Sequence, residues 1–136
     1  MLAQLISFIP RGDDRGSLVA LENHEVGFPI KRVYHIFHTV PGVTRGLHAH
    51  RDLRQVAVAV TGSCTFLLDD GTVRETVRLD DPTVGLVINS MVWREMSDFS
   101  PDCVLLVLAS HNYDESDYIR DYEQFRREAV GTGNLA

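Results

Sequence analysis

Val73-Arg-Glu-Thr-Val-Arg-Leu79 alternates with a period close to two, as a strand with one wet and one dry face does. Val56-Ala-Val-Ala-Val60 and Val104-Leu-Leu-Val-Leu-Ala109 are apolar on both faces, which predicts central strands of a two-layer sheet. With Ser17 to Glu22, Lys31 to Thr39, Gln55 to Val60, Cys64 to Leu68 and Gly85 to Ile88 they form a succession of short β-rich runs punctuated by Gly and Asp. Such a succession indicates a sandwich or barrel. Asp69-Asp70-Gly71 lies between two of the runs and predicts a hairpin, since Asp-Gly tolerates the positive φ of a primed turn. The period changes near the end. Tyr118, Tyr122, Phe125 and Ala129 recur at i, i+4, i+7 and i+11, and Ser116 offers a cap, which predicts one amphipathic helix over 116–129. Gly131 to Ala136 reads as a frayed tail.

The chain has 136 residues, 44% hydrophobic and 24% charged, and predicts a single domain over 1–136 with its core between about 8 and 110. Its balance of 13 Lys+Arg against 19 Asp+Glu, net −6, excludes a surface that gathers nucleic-acid phosphate, so an anionic ligand must be held by a few placed arginines. The apolar runs fall far short of the roughly 20 residues of a membrane-spanning helix. The N-terminus lacks the features of a secretory signal, so a cytoplasmic location is expected. Cys64 and Cys103 lie in apolar stretches without CxxC spacing and read as small buried hydrophobes.

The chemistry-bearing segment is Gly42-Val-Thr-Arg-Gly-Leu-His-Ala-His-Arg-Asp-Leu-Arg-Gln-Val. On an extended segment, His48 and His50 project to the same side, where two imidazoles can bind a metal or move protons. The register Gly42, His48, His50, position 55, Gly62 resembles the first motif of cupins, double-sheet β-barrels of the jelly-roll kind. Metal-binding cupins have Glu where this chain has Gln55, and the third metal histidine falls at Met96. An amide and a thioether in place of two ligands leave too few N/O donors for strong divalent-metal binding, so no metal is expected. A metal-free histidine pair suits proton transfer, since imidazole titrates near pH 6.5.

Further segments extend the likeness: Arg15-Gly-Ser-Leu-Val-Ala, Lys31-Arg-Val-Tyr, Arg45-Gly-Leu-His-Ala-His-Arg, Leu68-Asp-Asp-Gly, Trp93-Arg-Glu-Met, Asp98-Phe-Ser, Val107-Leu-Ala-Ser and Asp117-Tyr-Ile-Arg-Asp-Tyr. From about Phe8 to Phe125 the chain resembles the WxcM-like nucleotide-sugar 3,4-ketoisomerases, which act on dTDP-4-keto-6-deoxyglucose. The resemblance implies an all-β cupin (double-stranded β-helix jelly-roll barrel) with a short C-terminal helix. It further implies a cofactor-independent isomerase that moves a ketone from C4 to C3 through an enediol, in the making of amino-deoxy sugars of polysaccharides or antibiotics. Members of the family are similar in being homodimers with exchanged N-terminal strands. The related dTDP-4-keto-sugar 3,5-epimerases are the nearest alternative, which His50 disfavours, and a non-catalytic sugar-binding cupin is a third.

Within the resemblance, His50 is the expected base at C3 and His48 the relay to oxygen, with the reverse assignment open. Tyr34 is either a donor to the C4 oxygen or a strand residue filling the core. Arg45 either stabilises enediolate charge, grips a phosphate or forms a loop salt bridge. Arg15 and Arg32 are the expected diphosphate ligands. Gln55 is expected to point inward, toward the sugar or His50, and Trp93 either faces the sugar or plugs the barrel.

Overall fold

The computed structural model describes residues 2–134. Strands β1 (Gln4–Ser7), β2 (Arg11–Asp13) and β3 (Gly16–Leu18) lead to a one-turn helix α1 (Asn23–Val26). Strands β4 (Arg32–Ile36), β5 (Arg45–His50), β6 (Gln55–Thr61), β7 (Cys64–Asp69), β8 (Arg74–Leu79), β9 (Val84–Ile88), β10 (Trp93–Ser97) and β11 (Val104–Ala109) follow. A 3-10 turn at Glu115–Asp117, the short strand β12 (Tyr118–Ile119) and the helix α2 (Tyr122–Asn134) complete the order. Two antiparallel five-stranded sheets, β1-β9-β6-β11-β4 and β12-β5-β10-β7-β8, face each other, while β2 and β3 form a separate hairpin. This is the cupin jelly-roll barrel that the resemblance implies.

Three apolar layers explain the hydrophobic pattern. Ala57, Ala59, Phe66, Leu68, Leu86, Leu105 and Val107 fill the space between the sheets. The outer face of the first sheet, with Val56, Val58 and Leu108, is covered by Phe8, Val26 and Phe28 from the N-terminal segment. The outer face of the second sheet, with Ala49, Trp93 and Ile119, is covered by Phe125 of α2. Strand β6 as far as Ala59 and strand β11 are therefore largely dry on both sides and adjacent inside their sheet, as their apolar runs predict, while Val60 near the end of β6 is exposed. Burying a phenylalanine completely, as at Phe125, contributes roughly 1.5–3 kcal/mol.

Four expectations are corrected. The stretch expected as a strand from Ser17 to Glu22 leaves the sheet after Leu18, and Asn23 to Val26 turns into α1, closed by Gly27 at φ 90°. The Asp-Gly hairpin forms, but its loop spans 70–73: Asp70 N–H donates to the Val73 carbonyl, and the Asp70 side chain accepts from the amides of Thr72 and Val73. The helix does not begin at Ser116, whose amide is held by the Asp114 carboxylate at the 3-10 turn. Tyr118 belongs instead to β12, where it pairs with His50. Helix α2 starts after Asp121, whose side chain accepts from Gln124 N–H at 2.9 Å as an N-cap does. Finally, the expected fray from Gly131 is helical through Asn134, while residues 135–136 lie outside the described residues. Among the described residues, no helix is long and apolar enough to cross a membrane.

Candidate active site

Strand β5 carries the histidine pair, and a bulge aims it. Its partner β10 pairs Arg94 with His48 and Glu95 with Gly46, so Leu47 has no opposite number. Gly46 and Leu47 take φ of 87° and 57° at this point. A Cβ on Gly46 would lie 3.0 Å from the Arg94 carbonyl oxygen, which leaves glycine as the residue that fits. Beyond the bulge the strand is regular. Ala49 packs under α2, and His48 and His50 project together to the opposite side, ring centroids 4.9 Å apart and nearly perpendicular at 86°.

Tyr118 stacks against both rings, 4.9 Å from His48 and 4.2 Å from His50. His48 Nδ1 lies 2.9 Å from the Gly46 carbonyl; a carbonyl only accepts, so Nδ1 carries the proton and Nε2 keeps a lone pair. His50 is buried, and neither ring nitrogen has a hydrogen-bond partner among the described residues. The Asp117 carboxylate approaches His50 Nδ1 to 3.3 Å, but its two oxygens already accept from the amides of Asp52 and Leu53.

Both imidazoles are held neutral. Burial, reinforced by the Arg94 guanidinium, pushes His48 down to about 4. Burial, then Arg94 and then His48 push His50 down to about 2. Arg94 lies fully within the protein, where burial lowers its own pKa to about 10. It donates from Nη1 to Gln55 Oε1 at 2.5 Å and from Nη2 to the Val92 carbonyl at 2.9 Å. Gln55 Nε2 donates in turn to the Tyr34 hydroxyl at 2.9 Å. Burial pushes the Tyr34 phenol up.

A cavity of about 390 Å³ opens in front of the pair, lined by Arg32, Tyr34, Arg45, His48, Tyr118 and Arg120 among others. Behind it, a smaller space of about 50 Å³ touches His50, Asp117 and Arg32. The expected residues thus divide. Tyr34, Arg45, His48 and Arg32 meet at the cavity, with His50 and Gln55 packed directly against this group. The Arg32 guanidinium lies over the Tyr34 ring at 5.1 Å, and its Nε has no partner among the described residues.

Two expected residues lie elsewhere. Trp93 points to the other face of β10, where it packs against Phe125 and Tyr122 and donates from Nε1 to Glu95. It supports α2 and does not face the cavity. Arg15 is exposed on the β2–β3 hairpin, paired with Asp13 and outside the cavity walls of its own chain.

Sequence reasoning missed Arg94, Asp117, Tyr118 and Arg120. Alternation gave a signal for the first: with Met96 inward, Arg94 two residues earlier is inward as well, and Trp93 outward. Tyr118 was hidden because its spacing to Tyr122 and Phe125 imitates a helical stripe.

The donor set does not fit a metal. Gln55 turns its only acceptor oxygen to the Arg94 guanidinium and its NH₂ to Tyr34, so the amide stands in a cation's hydrogen bond and offers no anionic donor beside the histidines. The Arg94 cation at their back opposes a second positive charge. Among the described residues, the one group of three donors close enough to share an ion is Glu22, His24 and Glu25, which excludes the pair.

Comparison with known proteins agrees with this picture. A relative from Aneurinibacillus thermoaerophilus, a TDP-4-oxo-6-deoxy-alpha-D-glucose-3,4-oxoisomerase, is 52% identical over 125 residues, covering 91% of this chain and 90% of its own. A 3,4-ketoisomerase from Helicobacter canadensis superposes with a TM-score of 0.92 at 45% identity, over 96% of this chain and 98% of its own. A mutant of the 3,4-ketoisomerase QdtA from Thermoanaerobacterium thermosaccharolyticum, in complex with TDP-4-keto-6-deoxyglucose, superposes equally well, at 0.92 and 43% identity over 96% and 95% of the two chains. With the FdtA family model, described as WxcM-like, C-terminal, matching residues 1–130, the chain belongs to the WxcM-like FdtA family.

Proposed function

We propose that the chain is a nucleotide-sugar 3,4-ketoisomerase that converts dTDP-4-keto-6-deoxy-D-glucose to its 3-keto isomer in deoxyamino-sugar biosynthesis. One observation carries the reading: two neutral imidazoles stand side by side on one face of β5, His48 lining an arginine-rimmed cavity and His50 packed directly against it. The substrate class is that of the relatives at 43–52% identity.

The reaction needs a base at C3, a proton relay and a means of holding negative charge. A base must be unprotonated to act, and burial keeps His50 in that form throughout the neutral range. His50 takes the C3 proton, which the C4 carbonyl acidifies; the enediol forms, and a proton is delivered to C4. His48, 4.9 Å away with a free Nε2, passes protons to and from oxygen. Arg45 lies at the rim, close enough to the cavity to stabilise an enediolate. Arg32 binds diphosphate oxygens with the guanidinium that lies over Tyr34. No metal takes part.

The assembly we propose is a cytoplasmic homodimer with exchanged N-terminal strands, formed by one domain over 1–136. Leu5, Ile9 and Leu18 of the N-terminal segment are exposed apolar residues that a second copy would cover. Arg15, remote from its own cavity, would then serve the partner's diphosphate site. Nucleic acid and membrane are not partners.

The deciding experiment incubates the protein with dTDP-4-keto-6-deoxyglucose in deuterated water and follows the sugar by NMR, with and without chelator. A ketoisomerase gives a 3-keto product labelled at C4, insensitive to chelation. A 3,5-epimerase exchanges at C3 and C5 instead, and a binding module gives affinity without turnover; either outcome overturns the reading. His50→Asn should abolish turnover while leaving nucleotide binding intact.

A further inference from the structure

Arg94 is a fully buried cation, and no carboxylate lies within ion-pair distance of it among the described residues. An uncompensated buried charge is expensive, so its persistence calls for a task. Its hydrogen bonds indicate which task. Guanidinium only donates, so Gln55 must present Oε1 to Arg94, and its NH₂ is left to face Tyr34. The phenol oxygen accepts that bond at 2.9 Å, which leaves its own proton to be directed elsewhere. Tyr34 lines the cavity, and no protein acceptor is hydrogen-bonded to its hydroxyl among the described residues.

We infer that Arg94, acting through Gln55, fixes the direction of a hydrogen-bond chain so that Tyr34 donates its proton into the cavity, to a ligand oxygen that gains negative charge. Resting on the ketoisomerase reading, this makes Arg94 and Gln55 positioning residues and Tyr34 the group that touches the substrate oxygen. It also explains the amide at position 55. A carboxylate there would accept from both neighbours, neutralise Arg94 and turn the Tyr34 proton inward. The chain of donors is rigid before the substrate arrives, so little reorganisation is needed as charge develops. The ionisable groups around Tyr34 are Arg94 on β10, Arg45, His48 and His50 on β5, Arg32 on its own strand, Tyr118 on β12, and Arg120 beyond it.

The test compares Gln55→Glu, Tyr34→Phe and the double variant, all treated with chelator because a third donor at 55 would complete a metal-ligand set. Gln55→Glu keeps an acceptor for Arg94, so folding is expected to survive. Its kcat should fall about 100-fold with KM nearly unchanged, as for loss of one oxyanion donor. The double variant should be no slower than Tyr34→Phe alone. With ring-labelled tyrosine followed by NMR, Gln55→Glu should raise the Tyr34 titration point. Wild-type kcat in Gln55→Glu, or losses that multiply in the double variant, would overturn the inference. A neutron structure of the unmutated protein with exchangeable sites deuterated depends on no variant. The Tyr34 deuteron should lie on the cavity side, and a deuteron directed at Gln55 would refute the chain. The neutron and titration readouts do not need turnover, so the inference and the proposed activity can fail separately.

Discussion

Lowering the pH from 7 to 5 should destabilise the protein through His48 and His50. In the unfolded chain both titrate near 6.5. In the folded protein burial and Arg94 hold them down at about 4 and about 2. Between those values and 6.5 the unfolded state binds more protons, so acid favours unfolding, at about 1.4 kcal/mol per pH unit per histidine once well below 6.5. From pH 7 to pH 5 the loss is about 2 kcal/mol for each. His48 stops contributing further near pH 4, while His50 continues to lose stability toward pH 2. The assay is urea unfolding at pH 7 and pH 5, at one protein concentration, for the wild type and for His48→Asn and His50→Asn. Comparing each variant with the wild type cancels the carboxylates, which are common to both. Each variant should show an acid loss smaller than the wild type's by about 2 kcal/mol. Equal acid losses in wild type and variants would refute the argument that the cavity holds these rings neutral.

Gly62 takes φ of 69°, and a Cβ there would come within 2.7 Å of the Cys103 backbone, so Gly62→Ala should cost about 3 kcal/mol in urea unfolding; wild-type stability would refute the clash. In the same assay, Asp121→Ala should cost about 1 kcal/mol by removing the cap of α2, and Phe125→Ala about 3–5 kcal/mol by emptying the layer beneath it. Trp93, the only tryptophan, is buried under α2, so its fluorescence should shift to the red in Phe125→Ala and stay unchanged when nucleotide binds. A ligand-induced change would bring Trp93 back into the ligand's surroundings.

Much of the barrel was legible because a strand's burial is written in its own residues. Val73 to Leu79 alternates because one face of β8 is wet, and Val56 to Ala59 is apolar throughout because Phe8 and Phe28 cover its second face. The histidine pair was legible from its spacing of two, although the bulge at Leu47 that aims it was not. The end of the chain misled for a physical reason. Tyr118 and Tyr122 stand four apart, but Tyr118 gains more by pairing with His50 and stacking on both imidazoles than by extending a helix. That gain depends on residues distant in sequence, so no local pattern announces it; for Arg94 alternation along β10 gives the inward face, but not its partner Gln55.

Because β12 closes the edge of β5, the wall of the cavity formed by Tyr118 and Arg120 is encoded long after the histidine pair beside it. During synthesis the nascent chain can stack both large sheets through β11 while the imidazole pair still stands open to water on one side. The imidazole pair is therefore enclosed only as this late segment leaves the ribosome and docks, a step that α2 then secures.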